Sequence, residues 1–206
     1  MPSSPTTLNR IIDDLAGQGW CVAPDFISPH SVAQLAEETR RLRQQQAMQP
    51  AGIGKGAERT VNAGIRGDFI LWLDQPGLTA TQRDYLADLE QLRLAANAGL
   101  QLGLFEFEGH LASYPAGSFY RKHLDRFHND SLRTLTCIVY LNQDWQAADG
   151  GQLRVYTGEQ NYFDVLPQGG SLTTFLSNRF WHEVLPAKRE RMSITGWFKT
   201  RGEAAL

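Results

Sequence analysis

From about residue 104 the chain breaks into short β-type runs, 105–114, 119–125, 133–142, 151–156, 161–166, 170–176, 180–185 and 190–199, separated by Gly, Pro and Asn-Asp punctuation. Strands of this length and spacing are expected to close into a jelly roll or barrel rather than an open sheet. The 206 residues contain no internal repeat and no low-complexity tract, so they fit one compact domain with a helical support layer.

The first hundred residues carry a different period. Leu8, Ile11, Ile12 and Leu15 recur at helical spacing, and Gly17 and Gly19 then stop the helix. Residues 20–26 read as a short strand. Ser28-Pro29 opens a second helix, with Val32, Leu35, Ala36 and Leu42 on its apolar side and Arg40, Arg41 and Arg43 on a solvated one. Residues 48–64 hold four glycines and few large apolar side chains, a length of loop that is uncommon without a purpose. We read 48–67 as a mobile finger, with a disordered insertion as the plainer alternative. A strand is expected over 65–73. Thr79 with Gln82 three residues later forms a capping box before a helix carrying Tyr85, Leu89, Leu92 and Ala96. Residues 1–104 are thus support and 105–200 the core.

Net charge is −2, which gives no reason to expect a nucleic-acid or anionic-membrane partner. No apolar stretch is long enough to span a bilayer, and the start of the chain does not read as a secretory signal. Cys21 and Cys137, far apart in the sequence, are expected to be buried free thiols in a reducing cytoplasm. Arg66-Gly67-Asp68 spells an adhesion motif, a reading that a cytoplasmic chain does not support. Without a cysteine cluster, any metal must be held by His and carboxylate.

Such ligands are at hand in the strand-rich part. On a strand, His123 and Asp125 leave the same face, and His182 on a neighbouring strand completes a triangle. Two imidazoles and one carboxylate leave open positions on an octahedral ion, as oxygen and a chelating co-substrate require. His-x-Asp alone is weak, because a chain of this composition gives about 0.5 chance His-x-acid pairs. Nine residues after His182, Arg191 shares a face with Ser193, Thr195 and Trp197, while Met192, Ile194 and Phe198 form the other. An arginine inside a barrel needs an anion, and a bidentate carboxylate contributes about 1.5–3 kcal/mol. A surface acid beside Arg191, or a core role for His182, are the plain alternatives. His30, His110 and His128 are read as non-ligands.

His123-x-Asp125, His182 and Arg191 resemble the Fe(II)/2-oxoglutarate dioxygenase pattern. The words around them, Ser-Tyr114-Pro, Tyr140-Leu-Asn-Gln-Asp-Trp145, Asp149-Gly-Gly-Gln-Leu153-Arg and His182-Glu-Val-Leu-Pro, resemble the prolyl hydroxylases of hypoxia-inducible factor and their bacterial counterparts. The likeness covers roughly residues 20–199. It implies a double-stranded β-helix of jelly-roll, cupin-like type, mainly β, flanked by N-terminal helices. It also implies Fe(2+) on His123, Asp125 and His182, with 2-oxoglutarate held by Arg191 and the Tyr140 hydroxyl. Tyr114 would stand near its metal-binding end, Leu153 along its pocket and Trp197 beside the metal. Arg133, Tyr120, Arg66, Asp68 and Trp197 would contact substrate, although strand parity turns Arg133 away from Tyr140. O2 would be consumed, succinate and CO2 released and a prolyl residue hydroxylated, the chemistry of procollagen-proline-type 4-hydroxylases, with ascorbate as a candidate reductant.

The Arg191 position separates the chain from collagen-type enzymes, which use lysine there. The absence of a cysteine-rich zinc module suggests a bacterial member, expected to act as a monomer on a protein substrate. Elongation factor Tu is the leading substrate by analogy, with oxygen sensing as one possible role. Two rivals stand beside this reading. A hydroxylase of free amino acids would keep most of its activity without 48–67. A non-catalytic jelly roll would bind metal or an anion without consuming oxygen.

Overall fold

The computed structural model describes residues 4–53, 60–73, 77–125 and 132–202, so His128 lies outside the described residues. Among the described residues, three α-helices lie in the N-terminal half, interleaved with short strands. α1 (Pro5–Gln18) starts where the Ser4 side chain accepts from the Thr7 N–H and ends at Gly19, whose φ of 85° turns its N–H onto the Leu15 carbonyl. α2 (Pro29–Gln44) begins at Ser28, with Pro29 in its first turn. α3 (Ala80–Leu100) opens on the expected capping box, Thr79 with Gln82.

Among the described residues, eleven antiparallel strands make two sheets. The major one runs β1-β9-β6-β11-β4-β3-β2. Its members are β1 (Trp20–Ala23), β2 (Gln49–Pro50), β3 (Phe69–Trp72), β4 (Leu104–Tyr114), β6 (Arg133–Tyr140), β9 (Leu172–Leu176) and β11 (Arg191–Thr200). The minor sheet runs β5-β10-β7-β8, from β5 (Tyr120–His123), β7 (Leu153–Tyr156), β8 (Tyr162–Val165) and β10 (His182–Val184). This is the expected mainly-β, helix-supported jelly roll. The N-terminal part also supplies three strands of the major sheet.

Strand alternation sorts the apolar residues into two cores. Leu111, Leu135, Cys137, Val139, Met192, Ile194 and Phe198 turn toward the helices and meet Ile11, Leu35, Leu89 and Leu92. Ala112, Tyr114, Ile138, Tyr140 and Phe175 turn toward Leu153, Val155 and Val184 of the minor sheet. The site lies between the sheets, in the second layer.

Of the strands that are shorter than expected, β3 and β5 bear on the site. β3 starts only at Phe69, because Arg66 and Gly67 pair with the minor sheet instead: Arg66 bridges Tyr120, and the Gly67 N–H donates to the Phe119 carbonyl at 3.0 Å. β5 stops at His123, so Asp125 follows the strand rather than sitting on it. Within 48–67, Gln49–Pro50 pairs with β3, and Ile53 and Thr60 exchange backbone bonds of 2.8 and 2.9 Å; residues 54–59 lie outside the described residues.

Tyr85 is 2% exposed in the helix-facing core, and its hydroxyl finds no hydrogen-bond partner among the described residues. A buried, unsatisfied hydroxyl costs about 1–3 kcal/mol. Tyr85→Phe should therefore raise stability by about 1 kcal/mol in urea denaturation. A loss of that size would show that the hydroxyl has a partner.

Candidate active site

His123 and His182 face each other across the β5–β10 pair in direct register, their rings 4.2 Å apart. Asp125 reaches between them. His123 Nε2 stands 3.6 Å from Asp125 Oδ1, and His182 Nε2 stands 3.5 Å from Asp125 Oδ2. The other nitrogens are tied to the backbone: His123 Nδ1 to the Arg121 carbonyl at 2.7 Å and His182 Nδ1 to that of Phe180 at 3.1 Å. With Nδ1 donating, each Nε2 lone pair is left for a metal. One donor atom from each residue lies within 4.8 Å of the other two.

Burial pulls His182 down to about 4 against the opposing pull of Asp125, so its imidazole is neutral and can ligate. Burial disfavours the Asp125 carboxylate, but His182 and His123 outweigh it and hold the group well below the usual carboxylate range. The Trp197 indole adds to that field, although its N–H has no partner within hydrogen-bond range among the described residues. A neutral His182 imidazole, the neighbouring His123 imidazole and an ionised carboxylate suit iron(II) with open positions.

The same cavity, about 380 Å³, contains Arg191. This side chain is 1% exposed. Its Nε donates to the Gly151 carbonyl at 2.8 Å, and its Cζ lies 5.2 Å from each of the Tyr114 and Tyr140 rings. Gly150 and Gly151 both have positive φ, 74° and 71°, and this left-handed turn aims the carbonyl at Arg191. Arg191 Nη2 is buried without a hydrogen-bond partner among the described residues. The plain alternative, a surface acid beside Arg191, is not seen among the described residues; a cationic donor is left facing the cavity. Burial raises the Tyr140 pKa and keeps its hydroxyl protonated, 3.1 Å from Thr173 Oγ1.

Leu153, Tyr114, Trp197, Tyr120, Arg66 and Arg133 all line the cavity. Tyr120 stacks on His123, its ring centroid 3.6 Å away. Asp68 is not a lining residue. It is buried and takes both Arg66 Nε and Nη2, at 2.7 and 2.6 Å, which closes the adhesion-motif reading as well. Parity alone turns Arg133 toward the helices. A register shift between Phe198↔Leu135 and Lys199↔Arg133 instead brings it into the cavity, 3.6 Å over the Trp197 ring and paired with Glu108 at 2.7 Å.

Two groups escaped the sequence reading. His110, 3% exposed, lines the cavity with its ring 5.8 Å from Trp197. Parity with Tyr114 along β4 was the available signal. Thr136, fully buried, donates its hydroxyl to Asp125 Oδ2 at 2.8 Å. It lies on β6, in the sheet opposite β5, and no motif marks it.

The 2OG-Fe(II) oxygenase superfamily profile matches residues 109–199. Human Egl nine homolog 1 is 31% identical over 215 residues, covering 100% of this chain, which spans about half (49%) of that protein's length. A crystal structure of a Pseudomonas putida prolyl-4-hydroxylase is 47% identical with a TM-score of 0.85, covering 95% of this chain and 100% of that one. A prolyl hydroxylase from Trichoplax adhaerens, in complex with a hypoxia-inducible factor oxygen degradation domain peptide fragment, is 28% identical with a TM-score of 0.84. The match covers 93% of this chain and 88% of that one.

Burial and then Arg66 pull the His110 pKa down to about 4, with Asp68 and the Leu111 carbonyl opposing and Arg133 adding to the drop. The unfolded chain then binds a proton that the folded one refuses, so stability falls as pH drops from 6.5 toward 4. At pH 5 this costs about 2 kcal/mol. Urea midpoints at pH 7 and pH 5 should show His110→Gln losing about 2 kcal/mol less than the parent. Equal losses would rule His110 out as the cause.

Proposed function

The chain belongs to the 2OG-Fe(II) oxygenase superfamily, and on that premise we propose that it is a protein prolyl 4-hydroxylase. Its reading rests on one observation above the others: the buried, incompletely paired Arg191 guanidinium opens into the same cavity as the His123–Asp125–His182 cluster. A metal site alone has no need of such a cation. A co-substrate that chelates the metal at one end and carries a carboxylate at the other needs both.

His123, Asp125 and His182 would hold Fe(II), with ascorbate as a candidate reductant. The bound metal supplies oxidation of 2-oxoglutarate by O2 to succinate and CO2, with insertion of one oxygen atom into a prolyl C–H bond. The chain's own residues orient and enclose. Arg191 clamps the far carboxylate of 2-oxoglutarate; its Nε is already committed to Gly151, so the Nη edge is presented. Tyr140, protonated because buried, donates a second bond to that carboxylate, and Tyr114 stands by the metal-binding end. Ile138, Leu153 and Val184 keep the pocket wall apolar, which strengthens each polar contact in it.

The mouth supports a peptide rather than a free amino acid. Tyr120, Trp197, Arg133 and Arg66, the last held by Asp68 behind it, line the cavity, and so do Gly52 and Ile53 of the 48–67 segment. We take elongation factor Tu as the leading substrate. Two buried free thiols, Cys21 and Cys137, support action in a reducing cytoplasm. Among the described residues no helix is long and apolar enough to cross a membrane.

Arg191→Ala should leave Mn(II) binding within a few-fold and raise the 2-oxoglutarate requirement about 10- to 100-fold, the loss of one charge-assisted bidentate bond. Titration of 2-oxoglutarate decides this; an unchanged requirement would remove Arg191 from the co-substrate site. For the substrate, elongation factor Tu incubated with the protein, Fe(II) and 2-oxoglutarate should gain one oxygen on a proline by mass spectrometry. Succinate without a modified proline would keep the dioxygenase and discard elongation factor Tu.

A further inference from the structure

Asp125 stands apart from the other two candidate ligands in how it is held. His123 and His182 lie on paired strands and each is tied through Nδ1 to a carbonyl two residues back. Asp125 follows the end of β5, outside the strand ladder. Its carboxylate is nevertheless 6% exposed and is held by a side chain of the opposite sheet. Thr136 Oγ1, on β6, donates to Asp125 Oδ2 at 2.8 Å and lies 2.9 Å from Ser177 Oγ. All three groups are buried, Thr136 and Ser177 completely. Ser177 is itself fixed, because its N–H donates to the Thr134 carbonyl at 3.0 Å. The Thr136 carbonyl accepts from Thr174 Oγ1 at 2.8 Å, so that strand residue has no slack.

A hydroxyl has one proton. If Thr136 gives its proton to Asp125, its oxygen is left to accept from Ser177, and the three groups form a directed relay, Ser177 to Thr136 to Asp125. A carboxylate on a loop is otherwise free to rotate about its last torsion, which has broad, two-fold wells. One short charge-assisted bond to Oδ2 fixes that torsion and leaves Oδ1 unencumbered.

We propose that Thr136 and Ser177 are positioning residues of the metal centre: their hydroxyl relay pins Asp125 Oδ2 so that the carboxylate is presented for metal in a single orientation. This rests on the reading of His123, Asp125 and His182 as metal ligands. Outer-shell partners of metal ligands typically change affinity about 10- to 100-fold when removed. The relay also predicts an asymmetry, since Ser177 acts only through Thr136.

The test is Mn(II) titration of the full chain, followed by electron paramagnetic resonance, with no 2-oxoglutarate or substrate present and far-ultraviolet circular dichroism confirming the fold. Thr136→Val keeps the shape and deletes the donor; it should weaken Mn(II) binding about 10- to 100-fold, and Thr136→Ser should restore it to within a few-fold of the parent. Ser177→Ala should weaken binding less than Thr136→Val, and the double variant should be no weaker than Thr136→Val alone, because the upstream link is already cut. Parent-like affinity in Thr136→Val, or losses that add in the double variant, would overturn the relay. If Thr136→Val does not fold, Thr136→Ser against Ser177→Ala decides: only the second should lose affinity, and equal affinity in both overturns the proposal. No Mn(II) binding by the parent would overturn the metal-centre reading itself, a result distinct from loss of the relay alone.

Discussion

The alternation along β11 governs both halves of this molecule. Antiparallel pairing with β4 on one side and β6 on the other leaves it no freedom of register, since a slip of one residue would exchange its two faces. Met192, Ile194 and Phe198 seal the helix-backed core, and Arg191, Thr195 and Trp197 thereby face the cavity. Gly196 lies between them because a Cβ there would strike the Phe107 ring and the Glu108 carbonyl, and Phe107 in turn packs on Phe198 at 5.0 Å. Hydrophobic burial on one side thus enforces burial of a cation on the other.

The charges in the cavity divide by how far they are compensated. Arg66 is closed by Asp68 and Arg133 by Glu108, both at bidentate or near-contact distances. Arg191 has a backbone carbonyl and two aromatic faces, but its Nη2 is left without a partner among the described residues. A buried charge with incomplete compensation is expensive in an empty protein and favourable to any carboxylate that completes it. His110, kept neutral between Arg66 and Arg133, adds no further positive charge to that field. Among the described residues the incompletely compensated charge of the cavity is therefore that of Arg191.

Much of this was legible in the sequence because it repeats at fixed periods. The capped helices, the strand cadence after residue 104 and the two faces of 191–198 all follow from spacing alone. The candidate metal ligands stood out in the sequence because that chemistry restricts them to a few residue types. What was not legible arises between strands distant in sequence. The Thr136–Asp125 bond joins opposite sheets, and the Arg133 side chain is redirected by a register shift that only the β6–β11 pairing reveals. Likewise, nothing in 65–73 says that its first residues leave for the minor sheet while the rest stay in the major one.

That departure has a consequence for how such a chain diversifies. The segment before β3 is anchored at three levels: β2 on β3, Ile53 on Thr60, and Arg66–Gly67 on the strand that carries His123. Ile53 and Thr60 pair as a closed two-stranded base, and added chain length between two paired ends costs little, about 0.6 kcal/mol per doubling. Exchanges beside Gly52 and Ile53 alter the cavity lining there without moving His123, Asp125, His182 or Arg191. Recognition and chemistry can accordingly drift at separate rates within one small domain.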